Sequence, residues 1–162
     1  GALKELRAFH SVSNAVTTHF LQAFAGAIGQ YLANSPVFEA LPVPALQRQP
    51  FSATPGWDNI QTIFPFLLCH PAGAAEKRPL NCAETARNYR ALQESTRGNE
   101  RVQLAQPVVC GKRDGMDVSA LRMCVSSRLV VEVMQQNGGN EQAVIERALR
   151  ALDKVAQLVQ AA

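Results

Sequence analysis

Long apolar runs are missing from this chain of 162 residues, and none of its stretches approaches the ~20 residues that a bilayer-spanning helix requires. Charge is also scarce. Charged residues make up 18% of the chain against 47% hydrophobic, which is globular composition and argues against wholesale disorder. Aromatics are few at 6%, with a single tryptophan, and there are three histidines. Gly-x-Ser-x-Gly, the Walker loop, His-Glu-x-x-His and the dinucleotide-binding glycine pattern are all absent, as is Asn-x-Ser/Thr. Catalytic residues, a cofactor and a metal are therefore not expected from motif. His10 and His19 stand nine positions apart, half a turn out of phase on a helix, so they cannot share a metal there. His70 directly follows Cys69, and adjacent side chains of an extended chain point to opposite faces, which disfavours a thiol–imidazole pair. Asp114 and Asp117 are too few oxygens for a calcium loop.

What is present centres on four cysteines. They fall as Cys69-x12-Cys82 and Cys110-x13-Cys124, two similar intervals that each enclose turn formers: Pro71, Gly73 and Pro79 in the first, Gly111, Asp114 and Gly115 in the second. Four cysteines admit three pairings, and the spacing favours two local disulfides, Cys69–Cys82 and Cys110–Cys124. Each closed loop would contribute roughly 3 kcal/mol on the chain-entropy estimate. The alternatives are four separate thiols, since free cysteine packs as a small hydrophobe, or a zinc site, which would want a closer pair. Paired cysteines imply an oxidising compartment and hence an extracytoplasmic setting: periplasmic, secreted or surface-anchored. The chain opens on Gly1, which leaves room for a removed signal peptide or anchor.

The expected fold is α+β in one domain over 1–162. Residues 3–33 hold no proline and repeat Val16, Phe20, Phe24, Ile28 and Leu32 every fourth position, a long amphipathic helix that Asn34-Ser35-Pro36 stops. Five prolines between 36 and 57 argue for a surface wrap, with Trp57 at the core edge. Residues 60–135 form the disulfide-bearing core. Within it, Ile60 to Leu68 reads as a strand, Asn81 with Glu84 as a capping box opening a helix from Cys82 to Ser95, and 102–133 as three antiparallel strands in a meander. That meander would turn at 111–115 and at Ser126-Ser127. A last helix over 140–160 carries Ile145, Leu149, Leu152, Val155 and Val159 on one stripe and packs on the sheet. The sequence shows no internal repeat.

Net charge is +3, and residues 76–128 hold ten of the sixteen Lys and Arg against six acids. This mild, interspersed bias does not make a nucleic-acid stripe. Within it, Arg87, Arg90 and Arg97 share a helix face, and Lys112 and Arg113 sit at a sheet-end turn; together they are the candidate partner-binding set, suited to an acidic protein surface or anionic lipid headgroups. The functional expectation is a non-enzymatic extracytoplasmic binding or assembly domain. Its alternatives are a small hydrolase with dispersed catalytic residues, and a filament or membrane-anchored subunit whose first helix continues a removed anchor.

Overall fold

Five of the seven phenylalanines meet in one place, and their contacts fix the first helix onto a sheet. The computed structural model describes residues 1–42, 62–71, 77–95, 104–125, 127–135 and 141–161, with backbone alone at 6–16, 127, 132 and 134. In chain order the elements are α1 (Ala2–Asn34), β1 (Phe38–Ala40), β2 (Ile63–Leu68), α2 (Cys82–Ser95), β3 (Leu104–Arg113), β4 (Met116–Cys124), α3 (Ser127–Gln135) and α4 (Glu141–Ala161). The strands make one antiparallel sheet in the order β1-β2-β4-β3. The unit α-β-β thus occurs twice, α1-β1-β2 and α2-β3-β4. The second strand of each unit lies at the centre and the first at an edge.

α1 begins and ends within a residue of the expected bounds, and its fourfold repeat does what the spacing implies. Phe20, Phe24, Ile28 and Leu32 are buried. Phe24 meets Phe64 of β2 at 5.7 Å between ring centroids, Tyr31 meets Phe38 of β1 at 6.0 Å, and Phe38 meets Phe66 edge-on at 5.1 Å. Such pairs stabilise beyond their burial by about 0.5–1.5 kcal/mol each. The backbone of α1 closes through the Ser35 amide, which donates to the Tyr31 carbonyl at 3.1 Å before Pro36 ends the helix.

α2 opens with the reciprocal cap expected from its sequence. Asn81 Oδ1 accepts from the Glu84 amide at 2.8 Å and Glu84 Oε2 accepts from the Asn81 amide at 2.9 Å. Its buried side, Thr85, Asn88, Tyr89 and Leu92, faces the sheet layer, where the Tyr89 hydroxyl donates to the Leu104 carbonyl. α4 carries Val144, Ile145, Leu152, Val155 and Val159 into the same core and lies against both α1 and α2.

Pro65 sits in a strand with neighbours on both sides, a place usually closed to proline. Its carbonyl accepts from the Leu41 amide at 3.0 Å, so the backbone of this residue faces the β1 side just beyond the end of β1. The missing donor therefore removes no bond from the β2–β4 ladder.

Three expectations are corrected. The four cysteines are free thiols: Cys69 is buried, Cys82 and Cys124 half-buried, and Cys110 exposed. The register explains why Cys110 and Cys124 stay apart. Cys110 lies beside Val118 and Ser119, whereas Cys124 stands five residues further along β4 opposite Ile63, a separation of ~17 Å at ~3.4 Å per residue. A disulfide needs Cα atoms within roughly 4.4–6.8 Å. Cys69 alternates with Phe64, Phe66 and Leu68, which face the helices, so it belongs to the opposite face of the sheet from α2, which Cys82 opens.

The second correction is the meander. Asp114 and Gly115 both have positive φ, 51° and 77°, and form the two-residue turn that joins β3 to β4 as one long hairpin. The third is the expected strand over Leu129–Val133, which is the helix α3. Leu129 and Val133, four apart, are buried while Val131 between them is half exposed, so the helical period holds and the alternation was coincidental. Residues 43–61, with Trp57, and the expected break at 137–140 lie outside the described residues.

Phe24 is the aromatic shared by α1 and β2. Phe24→Ala is expected to lower unfolding free energy in urea titrations by about 3–5 kcal/mol, whereas a loss below about 1 kcal/mol would mean the stripe is not part of the folded core.

Candidate functional site

Alternation divides the sheet into two unlike faces. Phe64, Phe66, Leu68, Leu121 and Met123 face α1 and α2. On the other face Leu67, Val118 and Ala120 form a small separate cluster, against which Leu41 packs and, among the described residues, no helix. Around that cluster Ile63, Val108 and Met116 are exposed.

The hairpin tip is tied across this second face. Arg113 Nη2 reaches Glu39 Oε1 of β1 at 2.7 Å, and Lys77 Nζ donates to the Phe38 carbonyl at 2.6 Å. Glu39, Lys77 and Arg113 all lie close enough to Cys69 to act on its ionisation, yet burial dominates and pushes that thiol up to about 11. Cys69 is thus a protonated packing residue under a charged latch. Cys82 and Cys110 are also held by the backbone, donating to the carbonyls of Asp117 at 3.3 Å and Val118 at 3.6 Å.

Four of the five cations expected to form a patch are described, two on α2 and two at the hairpin tip. Arg87 and Arg90 are exposed on α2, and Arg97 lies outside the described residues. Lys112 has Asp117 at 3.5 Å and Arg113 has Glu39, so both hairpin cations meet acids of their own chain. Exposed pairs of this kind stabilise by no more than about 1 kcal/mol and leave the cations open to exchange partners.

A cleft of about 590 Å³ runs between the C-terminal turns of α1 and the side of α4, lined by Gln30, Tyr31, Asn34, Asp153, Gln157 and Gln160 among others. The Tyr31 hydroxyl donates to Asp153 Oδ1 there. Burial, then the Asp153 carboxylate, raise that phenol well above its ordinary value, so it is a fixed donor and not a base. The cleft's titratable pair is therefore spent on joining α1 to α4. His19 is engaged elsewhere, with Glu141 at 2.9 Å.

The feature that motif reading missed is β3 itself. It is ten residues long, has β4 as its one described neighbour, and is exposed along its second half. Val108 is 49% exposed and Val109 61%, and their pairing with Ala120 and Ser119 puts them on opposite faces of the strand. Pro107 and a bulge guard the edge on one side of this pair; a second bulge with Lys112 and Arg113 guards it on the other. The pair Val108–Val109 between them carries no such guard. Next to it on β4, Arg122 has Pro65 and Ala105 as its cross-strand neighbours, and its Nε is out of solvent with no hydrogen-bond partner. Recognising Asp114-Gly115 as a two-residue turn would have exposed this edge from sequence, because it makes 104–113 the outer arm of a hairpin.

No family model matches the chain, and neither the curated proteins nor the solved structures contain a match to it.

Chemical titration of the denatured, unreduced chain is expected to count four thiols, and alkylation of the native protein near pH 8 to modify Cys110 first and Cys69 last. Because the folded Cys69 thiol ionises near 11 and an ordinary one near 9.0, the unfolded chain loses its proton first. Stability should therefore be unaffected by this group below about pH 9 and fall as pH rises towards 11. Stability that rises over that window, or a Cys69 that labels as fast as Cys110, would contradict the buried neutral thiol.

Proposed function

We propose that this chain is a non-enzymatic binding or assembly domain that takes an extended segment of a protein partner onto the edge of β3. The observation that carries this reading is the unguarded pair Val108–Val109, two adjacent valines exposed on opposite faces of an edge strand. Strand addition uses main-chain hydrogen bonds for affinity and alternate side chains for selectivity, and an edge with apolar side chains on both faces suits it. The setting outside the cytoplasm was expected from paired cysteines, and with the thiols free it loses that support.

A second reading keeps one specific observation. α1 spans 33 residues, ~50 Å at ~1.5 Å per residue, and Ala2 to Glu5 are all exposed, with Leu3 at 63%. A helix that stands out from the sheet layer at its start fits a subunit of a filament or of a membrane-anchored assembly. The two readings are compatible, since an assembly subunit also needs an interface on its folded part.

A photo-crosslinking residue at position 108, in cells that make the protein, is expected to yield a specific adduct, and Val109→Pro, which removes the amide that alternation along the strand turns away from β4, to abolish it. The same probe at position 90 should yield none. An adduct from position 90 alone would move the interface to the basic face of Arg87 and Arg90 and overturn the β3 reading.

A further inference from the structure

We infer that the segment taken up by β3 carries a carboxylate that pairs with Arg122. The inference rests on β3 being the acceptor edge and names the chemistry of what it accepts. Pro65, Arg122 and Ala105 form one row across β2, β4 and β3, on the face away from α1 and α2. Neither flanking side chain offers a polar group. The Arg122 Nε is shielded from water and unpartnered, which costs free energy that a charged acceptor would recover. Two other described cations near this face are already engaged, Arg113 by Glu39 and Lys77 by the Phe38 carbonyl.

Position selects the ligand further. β3 separates β4 from the free edge by one strand spacing, ~4.8 Å, and the residue of β3 opposite Arg122 is Ala105, whose methyl group leaves room above it. An arginine side chain is longer than that spacing. Val108, the next residue of β3 on the same face, is exposed. A strand added along Val108 and Val109 would therefore bring an acidic side chain on that face, on its Ala105 side, within reach of Arg122. The ligand class is an extended peptide with an Asp or Glu near an apolar residue.

The test is selection of a random ten-residue peptide library displayed on phage, against the wild-type chain and against Arg122→Met, with folding of both checked by thermal melting. Wild type is expected to enrich peptides with an acid near an apolar residue. Arg122→Met should keep the apolar preference and lose the acidic one. A synthetic peptide from the wild-type selection, compared with its Asp→Asn or Glu→Gln form, should lose roughly tenfold in affinity for wild type and nothing for Arg122→Met. That comparison on wild type alone decides the matter if the variant does not fold, and equal affinities would overturn the pairing. Enriched peptides without an acid would overturn the role of Arg122 and leave strand addition standing. Failure to enrich any peptide would overturn both.

Discussion

The contact between Phe24 of α1 and Phe64 of β2 is the point on which the architecture turns. Aromatics are scarce here, and five of the seven phenylalanines lie between one helix and two strands, on a single face of the sheet. Among the described residues, the helices gather on that side of the sheet and the opposite face receives only a small cluster around Leu67, Val118 and Ala120. The asymmetry follows from supply. Layered folds bury the apolar face they can cover, and the remainder must be polar, small or partnered.

The two edges of the sheet are treated differently for the same reason. β1 has three residues, too short to invite pairing, and its Glu39 holds the hairpin tip through Arg113. β3 has ten, and its guards, Pro107, two bulges and two cations, stand on either side of Val108–Val109 without covering it. Edge strands usually carry such guards to prevent association. The gap in them at Val108–Val109 is what the proposed strand addition would use.

Much of the helical framework was legible in the sequence because its signals are local. The fourfold repeat of α1, the Asn81–Glu84 cap and the stripe of α4 each specify a helix without reference to the rest of the chain. The twofold α-β-β plan was not, because the connections differ so much. Between β1 and β2 stand residues 41–62, whereas Asp114 and Gly115 alone join β3 to β4. The cysteine spacing misled for a related reason. Similar intervals in sequence become unlike separations once one interval spans a hairpin and the other crosses from one face of the sheet to the other. Leu129 to Val133 misled because an i, i+4 pair with a valine between also satisfies an alternation of two. Arg122 gave no signal at all, since its isolation depends on Pro65 and Ala105 arriving from other strands.

The account's central claim is that the edge of β3 is free in the isolated chain while the middle of the sheet is closed. Amide hydrogen exchange, read residue by residue on dilute protein, tests this most directly. Leu121 and Met123 of β4, bonded within a strand that has neighbours on both sides, should exchange at the slowest, globally limited rate, and the outward amide or amides within Val108–Cys110 orders of magnitude faster. If all three amides of Val108–Cys110 are as protected as those of Leu121 and Met123, the edge is already occupied and the strand-accepting reading is contradicted.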